Sequence, residues 1–518
     1  MEKIRKLPIG IQDFEGLITD GYLYVDKTKY IWDLVTRGKV YFLSRPRRFG
    51  KSLLLSTMQA YFEGKKELFE GLYIGEKETE WIKYPVFYFD FNTQKYKDKF
   101  ALEDILEKYF TQWENDFGIG SSDYSLPLRF ERLLRLVHEK TKLRCVVLID
   151  EYDKSMLESK DENLDDARDT FKAVFSNLKS SDAHLKFVFI TGITKFSKVS
   201  IFSDLNQPND ISLTRDYATI CGLTQDEIEK TFMPEIEAIA KEINFSVDNA
   251  LSELKKMYDG YHFYEYSEGV YNPFSLLNAF NKCDFKSYWY ETGTPTFLVE
   301  KIKAKNYHFQ DFTDGVSRQE DDLRDYQIDN PDIIPLFYQT GYLTIKGYDN
   351  EVREYLLKYP NEEVKNAFLK SLVPVVFSEN KYSSLDINKF YYDLKSGNIE
   401  SVMQRLKSLF AMLPYATTNT DAITEQNFQN VIYLVFLLLG QFVDVEHHYS
   451  KGRADCVVQN AGYVYLFEFK RDKTSDEALS QIESSGYADS FASDSRTLIK
   501  IGANFSSEEK NLVEWKVV

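Results

Sequence analysis

Residues 50–52 read Gly-Lys-Ser and end a basic turn between a short apolar run, residues 40–43, and a helical pattern, residues 52–61. A strand, a turn and a helix start in this order are typical of an anion site, because the first helical N–H groups have no partner within the helix. Gly50 would let the backbone approach a phosphate. Lys51 would reach the β- and γ-phosphates, and the Ser52 hydroxyl would hold Mg²⁺.

The turn departs from the general phosphate-loop pattern G-x-x-x-x-G-K-[ST] at its first position, where this chain has Arg45. Pro46 has no N–H to donate, and the charges of Arg47 and Arg48 would compensate for part of that loss. The alternative is a basic turn that only caps a core helix. On the first interpretation, the nucleotide-binding residues are Arg47, Arg48, Phe49, Gly50, Lys51, Ser52 and Leu53.

A second candidate group follows the apolar run 145–149, which predicts a strand that is covered on both faces. Asp150 and Glu151 stand at the carboxyl end of this strand, where doubly wound folds place their chemistry. In a phosphate-loop ATPase, Asp150 would bind the Mg²⁺ shell and Glu151 would orient the attacking water. Thr191 ends a further strand, which we expect beside the first, and is a candidate sensor of the γ-phosphate. The alternative for the two acids is a turn or a helix cap.

A third group lies near the C-terminus, where an acid and a base interrupt the apolar strand 463–470. Residues two apart in a strand share a face, so Glu468 and Lys470 point the same way. A hairpin that turns at residues 461–462 would place Asp455 opposite Glu468. Two carboxylates suit Mg²⁺ or Mn²⁺, and a nearby ammonium can polarise the attacking water of a phosphodiester hydrolysis. The alternative is a solvated strand face with a salt bridge.

The rest of the chain must provide the elements that hold these groups. Its 518 residues predict two to four domains, and 43% of them are hydrophobic, enough for substantial cores. The net charge of −17 argues against a surface coated for nucleic acid but leaves room for a local basic groove. Four scattered cysteines indicate neither a disulfide framework nor a metal site. Without an apolar signal region or a run long enough to span a bilayer, we expect a cytoplasmic protein with no membrane contact.

Several motifs together resemble a known bacterial family. They are Arg45-Pro46-Arg47-Arg48-Phe49-Gly50-Lys51-Ser52, and residues 25–28, 148–153, 342–344, 467–470 and 514–516. The chain resembles the AAA-ATPase-like family that carries a C-terminal PD-(D/E)xK nuclease-like domain, whose phosphate loop also begins with arginine. Here Ala454-Asp455 stands in place of the usual Pro-Asp.

The resemblance implies an α/β protein in three parts. Residues 1–215 would be an AAA-like phosphate-loop domain with a parallel sheet. Residues 216–413 would be a helical lid with a winged-helix-like hairpin. Residues 414–518, which begin with a stretch rich in Thr, Asn and Pro at residues 414–424, would be an α/β domain of the restriction-endonuclease type.

Two functions of different classes follow. The first is an ATPase coupled to a metal-dependent nuclease that acts on nucleic acid. In it Asp455 and Glu468 bind Mg²⁺ or Mn²⁺, Lys470 assists the water, and Glu425 completes the metal's first or second shell. The second is a nucleotide-dependent switch whose nuclease-like domain binds a partner and cuts nothing. The acidic overall charge favours the second, and the presence of the acid–acid–lysine set favours the first.

Overall fold

The computed structural model describes residues 5–93, 95–96, 98, 100–159, 163–195, 208–291, 312, 315–324, 332–376, 386–411, 425–440, 444–447 and 456–518. These residues divide into two compact units. The first contains residues 1–289 and 315–363, and the second contains residues 290–314 and 364–518.

The first unit alternates strands and helices over its N-terminal half. Its strands are β1 (Val40–Ser44), β2 (Val86–Asp90), β3 (Cys145–Asp150), β4 (Leu185–Gly192), β5 (Asn209–Asp210), β6 (Val316–Gln319), β7 (Thr344–Asp349) and β8 (Glu354–Lys358). Its helices are α1 (Phe14–Thr19), α2 (Thr28–Arg37), α3 (Lys51–Phe62), α4 (Tyr73–Lys77), α5 (Ala101–Asp116), α6 (Leu126–Thr141), α7 (Lys154–Glu158), α8 (Leu164–Phe175), α9 (Asn177–Ser180), α10 (Gln225–Glu242), α11 (Val247–Tyr258), α12 (Pro273–Lys282), α13 (Tyr288–Glu291), α14 (Glu320–Arg324) and α15 (Ile334–Thr340).

A five-stranded parallel sheet organises this unit, in the order β2-β3-β4-β1-β5. All six residues of β3 are buried, as expected for a parallel strand that is covered on both faces. Strand β4 lies between β1 and β3, so the strand that ends near Thr191 is beside the strand that ends at Asp150, as the sequence predicted. The order of the strands therefore gathers the ends of β1, β3 and β4 at one edge.

The helices after the sheet build a second core from α10, α11 and α12, which contribute Ile236, Leu254 and Leu276 among others. Helix α10 begins where the sequence indicated. The Thr224 side chain accepts from the N–H of Glu227, and the Glu227 carboxylate accepts from the N–H of Thr224. This reciprocal cap satisfies two N–H groups that the helix itself leaves without a partner.

The predicted hairpin is present as the antiparallel pair β7 and β8. The polar and acidic composition of residues 311–332 predicts an exposed connection, and this prediction is wrong for the central part. Residues 316–319 form β6, which pairs with β8, and α14 follows with Leu323 buried. The polar composition hid the strand, since Val316 is the one apolar residue of β6.

The second unit contains α16 (Glu362–Val376), which begins at the end of the first unit, α17 (Ile387–Lys395), α18 (Ile399–Phe410), α19 (Glu425–Leu439), β9 (Asp444–His447), β10 (Cys456–Gln459), β11 (Tyr463–Arg471), α20 (Ser475–Ser484), β12 (Thr497–Ser506) and β13 (Asn511–Val517). Its strands form a five-stranded mixed sheet, in the order β13-β12-β11-β10-β9. Strands β11 and β12 are parallel, and the other pairs are antiparallel.

Helices α17 and α18 pack on this sheet. The Tyr465 hydroxyl donates to the Leu394 carbonyl at 2.5 Å, and the rings of Phe410 and Phe505 lie 5.5 Å apart. The predicted fold class, an α/β protein with a parallel N-terminal sheet and a separate C-terminal α/β sheet, is confirmed. The three-part division at residues 215 and 413 stays a prediction. Within the part of the chain that the structure describes, no helix is both long enough and apolar enough to cross a membrane.

Candidate nucleotide and metal sites

The phosphate loop joins β1 to α3, as the sequence predicted. Helix α3 starts at Lys51 after Gly50, whose φ of 92° is left-handed and favours glycine. No side chain caps this helix start. The N–H groups of its first turn therefore remain available to an anion, and the helix dipole adds to the attraction.

Lys51 is positioned beneath the loop rather than in solvent. Its side chain is 4% exposed, and its Nζ donates to the carbonyls of Arg45 and Pro46 at 3.0 Å each. The ammonium is thus held at the centre of the loop by neutral acceptors. A phosphate oxygen is a stronger partner for an ammonium, because charge-assisted hydrogen bonds are about twice as strong as neutral ones.

Arg45, which stands where the general pattern has glycine, is a buried structural residue. Its guanidinium donates to the carbonyls of Ser44, Ser212 and Tyr217 at 2.8–3.0 Å, and it lies 4.0 Å from the centre of the Phe263 ring. Burial lowers its pKa. Sequence reasoning recognised the substitution but not this role, because two of the three carbonyls, those of Ser212 and Tyr217, lie far away in the chain.

Arg47, Arg48 and Phe49 contact segments that follow the parallel sheet along the chain. The Phe49 ring packs edge-on against Tyr261 with 4.7 Å between ring centres, and its carbonyl accepts from the N–H of Gly222 at 3.2 Å. The Arg48 guanidinium lies over the Phe274 ring. Arg47 is half-buried, and its positive charge lowers the pKa of Glu151 at the carboxyl edge of the sheet. Of the proposed set, Ser52 and Leu53 are half-buried in the first turn of α3.

Thr191 and Asp150 are joined across neighbouring strands. The Thr191 hydroxyl donates to Asp150 Oδ1 at 2.6 Å, and both side chains are at most 2% exposed. The Thr191 carbonyl also accepts from the N–H of Tyr152 at 3.0 Å. The residue proposed to sense the γ-phosphate is thus bonded to the residue proposed for the Mg²⁺ shell, and its sensor role stays a prediction.

Glu151 has a strained backbone, with a φ of 51° that non-glycine residues adopt rarely. Such strain is concentrated at functional sites. Burial raises the pKa of its carboxyl above the ordinary value of 4.5, the Lys51 charge opposes that rise, and Asp150 adds to it. A carboxylate whose pKa is shifted toward neutrality is suited to accept a proton from water.

Asp153 belongs to the same edge, and sequence reasoning gave it no role. It is fully buried, and its Oδ2 accepts from the N–H groups of Ile193 and Thr194 and from the Thr194 hydroxyl at 2.6–3.0 Å. It therefore fixes the turn that leaves β4. Its spacing of three residues after Asp150, at the start of a helix, was the available signal.

In the second unit, Glu468 and Lys470 share one face of β11, as the alternation predicted. Lys470 Nζ donates to Glu468 Oε1 at 2.7 Å, and Glu468 is fully buried. The rings of Phe467 and Phe469 stack on the opposite face, 6.0 Å apart. An acid and a base held together in an apolar strand form the charged pair that the proposed metal chemistry requires.

The other two residues of the proposed metal site, Asp455 and Glu425, are not fully described by the structure. The hairpin has the predicted register, since Cys456 lies opposite Phe467. Asp455, one residue earlier, lies outside the described residues. Glu425 begins α19, and its side chain lies outside what is described. Among the described side chains, no three of His, Cys, Asp and Glu form a cluster that could hold a metal.

A parallel sheet with a phosphate loop after β1 and an acid pair after β3 defines the first unit as a fold of the P-loop NTPase type. The comparisons agree. A family model described as predicted AAA-ATPase matches residues 8–202, and one described as PD-(D/E)XK nuclease superfamily matches residues 423–515.

A protein of Azotobacter chroococcum mcd 1, titled "Uncharacterized protein in vnfD 5'region", is 34% identical over 522 residues, which span 99% of this chain and 99% of that protein. The chain therefore belongs to the family of AAA-ATPase-like proteins with a C-terminal PD-(D/E)XK nuclease-like domain. The resemblance inferred from the motifs is confirmed.

Proposed function

We propose that the first unit binds ATP·Mg²⁺ at residues 47–53 and hydrolyses it. The observation that carries this proposal is the convergence of three strand ends. Strand β1 leads to Lys51, β3 ends at Asp150, and β4 supplies the Thr191 hydroxyl that donates to Asp150 at 2.6 Å. Ligands of open parallel sheets bind outside the carboxyl ends of the strands, which is where these side chains lie.

The residues at this edge fit a nucleotide with a divalent cation. The Ser52 hydroxyl and the Asp150 carboxylate are hard oxygen donors of the kind that Mg²⁺ prefers. Bound Mg²⁺ would neutralise charge on the phosphate oxygens. Lys51 would exchange the carbonyls of Arg45 and Pro46 for phosphate oxygens, and Glu151 would orient the attacking water and take its proton.

Steady-state ATP hydrolysis by the full-length protein tests this proposal. We expect Lys51→Ala to lower the rate by at least about 100-fold, the loss typical of removing a preorganised charge at a developing anion. Lys66→Ala, an exposed lysine shortly after α3, is the matched control and should keep the wild-type rate. Equal rates in wild type and Lys51→Ala, both well above background, would overturn the assignment.

We further propose that the second unit is a metal-dependent nuclease. The buried Glu468–Lys470 pair supports it, because a carboxylate that binds Mg²⁺ or Mn²⁺ and an ammonium that polarises water are the parts that phosphodiester hydrolysis needs. Asp455 would be the second metal ligand, and Glu425 would complete the shell. On this proposal the chain acts in the cytoplasm, with ATP and nucleic acid as its partners.

Cleavage of single- and double-stranded DNA and RNA, with Mg²⁺ or Mn²⁺ and with or without ATP, tests the nuclease. Cleavage that is lost in Lys470→Ala and kept in Lys473→Ala, an exposed lysine on the same segment, is the expected result. If wild type cuts none of these substrates while ATP still binds, the nuclease proposal fails. The function is then the nucleotide-dependent switch whose nuclease-like domain binds without cutting.

A further inference from the structure

Glu363 is a buried acid that the proposed ATPase chemistry does not use. It is fully buried, and its Oε1 accepts from the Ser275 hydroxyl at 2.9 Å and from the N–H of Trp289 at 2.8 Å. Its Oε2 has no hydrogen-bond partner among the described residues. A buried carboxyl group without a counter-ion is costly, so its presence calls for a physical reason.

The first contact of Glu363 leads to the phosphate loop. Trp289, whose N–H it binds, is 6% exposed, and the indole Nε1 of Trp289 donates to the Arg47 carbonyl at 3.2 Å. Glu363 therefore fixes the backbone of Trp289, and the indole of Trp289 in turn binds the Arg47 carbonyl of the loop. Arg47 precedes Arg48, which has a left-handed φ of 67°, so the carbonyl that Trp289 holds belongs to an irregular part of the loop.

A second neighbour of the loop, Tyr261, is coupled to Glu363 through electrostatics. Glu363 lies close enough to Tyr261 for its charge to raise the pKa of the Tyr261 hydroxyl, after the larger effect of burial. The Tyr261 ring packs against Phe49 at 4.7 Å between centres. Trp289 and Tyr261 thus contact the two ends of the stretch from Arg47 to Phe49, and Glu363 is hydrogen-bonded to the first of them.

We infer that Glu363 is a positioning residue for the phosphate loop, which it holds in its binding shape through Trp289. The chain passes between the two units directly after Trp289 and directly after Glu363. The two residues at which the chain changes units are therefore bonded to each other and, through the indole, to the loop. The consequence for nucleotide affinity rests on the proposed ATP site, whereas the effect on the loop itself does not.

Amide hydrogen exchange of the full-length protein without nucleotide tests the inference. Glu363→Ala removes the acceptor, and we expect the hydrogen-bonded amides at the two ends of the loop, those of Arg45 and Leu54, to exchange about five-fold faster, the effect of losing one net hydrogen bond. Glu363→Gln keeps an acceptor oxygen and should restore protection. Trp289→Phe removes the indole donor and should reproduce the Ala result. Amides of α5, which packs against α6 and α8, should exchange at the wild-type rate in every variant.

Matched control variants distinguish the positioning role of Glu363 from a general destabilisation of the protein. Glu362→Gln changes the half-buried neighbour, and Trp515→Phe removes an indole donor that bonds to Glu400 in the second unit. Neither should change the exchange of the two loop amides. Unchanged exchange in both Glu363→Ala and Trp289→Phe would overturn the inference. So would an equal increase in α5, which would show general destabilisation.

A parallel titration with ADP·Mg²⁺ distinguishes this failure from failure of the proposed function. Weaker ADP binding, by about the same factor as the faster exchange, is expected in Glu363→Ala and Trp289→Phe. If wild type binds no nucleotide but the exchange pattern holds, the ATP proposal fails and the positioning role stands. If wild type binds ADP and both variants match it in affinity and exchange, the positioning role fails alone.

Discussion

The Thr191 hydroxyl donates a hydrogen bond to Asp150 Oδ1 at 2.6 Å, between the ends of the adjacent strands β4 and β3. The bond is fully buried, so it is not weakened by competing water. It makes the position of one strand end depend on the other. Any group that displaces the hydroxyl, such as a metal ion on Asp150, would change both ends together.

Replacing Thr191 with Val should separate binding from catalysis. The variant keeps the shape of the side chain but removes the donor to a buried carboxylate, a loss of about 1–3 kcal/mol at that bond. We expect ATP hydrolysis to fall roughly ten-fold, as about 1.4 kcal/mol of lost positioning implies, with little change in ATP affinity. Steady-state rates with calorimetric affinities measure both. Thr141→Val, in α6, serves as the control, and an unchanged rate in Thr191→Val would show that the bond has no catalytic part.

Glu151→Gln should bind ATP and fail to hydrolyse it. Loss of a general base lowers rates by about 10²–10⁴-fold, whereas the amide preserves the size of the side chain. Filter-binding and phosphate-release assays on one preparation measure the two properties. The exposed Glu158 on α7 offers a matched control, since Glu158→Gln should hydrolyse ATP normally. Full activity in Glu151→Gln would assign the base to another residue.

The rate of ATP hydrolysis by the wild-type protein should depend on pH through the ionisation of the Glu151 carboxyl. Its pKa is raised above 4.5, chiefly by burial, and a base must be ionised to accept a proton. The rate should therefore fall with decreasing pH at a point above pH 4.5, and this acid limb should be absent from the residual activity of Glu151→Gln. A rate that stays constant down to pH 4.5 in protein that remains folded would contradict this assignment.

Arg45→Gly brings the loop closer to the general phosphate-loop pattern, yet we expect it to destabilise the protein. It removes the donor for the carbonyls of Ser44, Ser212 and Tyr217 and the cation that lies against Phe263. One buried and two half-buried acceptors without donors imply a loss of about 2–3 kcal/mol, seen as a lower thermal midpoint. Arg45→Lys should recover only part of the lost stability, because an ammonium lacks the planar, forked set of donors of a guanidinium. Equal midpoints for wild type and Arg45→Gly would refute this role.

Glu363 should make the stability of the first unit depend on pH. Burial raises its pKa from 4.5 to about 7, against the hydrogen bonds from Trp289 and Ser275, and the titratable groups coupled to its charge are the hydroxyls of Tyr258 and Tyr261. As pH rises, the Glu363 carboxyl ionises in the unfolded chain before it ionises in the folded protein. The contribution of Glu363 to the free energy of unfolding is therefore greatest below pH 4.5 and falls by up to about 3 kcal/mol through pH 7. Thermal midpoints between pH 5 and 8 should fall more steeply in wild type than in Glu363→Gln. Identical slopes would show that Glu363 does not titrate in this range.

The sequence was sufficient for the strands that carry the chemistry, because each combines an apolar run with a chemically distinct end. The order Asp150-Glu151 after a five-residue apolar run, and Glu468 and Lys470 within another, located both candidate sites. Alternation alone also predicted that Glu468 and Lys470 share a face. These predictions depend on local periodicity, which a single sequence shows directly.

The contacts around the phosphate loop could not be predicted, since they join residues far apart in the chain. Arg45 is held by carbonyls near residues 212 and 217, and Arg47 by the indole of Trp289. Strand β6 was missed for a related reason, as it is short, polar and paired only with β8. Single-sequence patterns record which residues are apolar and how they alternate, but not which distant carbonyl a side chain will meet.

The most direct test of the central claim is a calorimetric titration of the full-length protein with ATP·Mg²⁺ beside Lys51→Ala. Lys51 is buried beneath the loop with its ammonium on two loop carbonyls, so its removal should abolish measurable binding while α3 remains folded. Circular dichroism of the variant checks that the fold is kept. Saturable binding in wild type that disappears in Lys51→Ala is the predicted result. ATP binding of equal affinity in the two proteins would contradict the account.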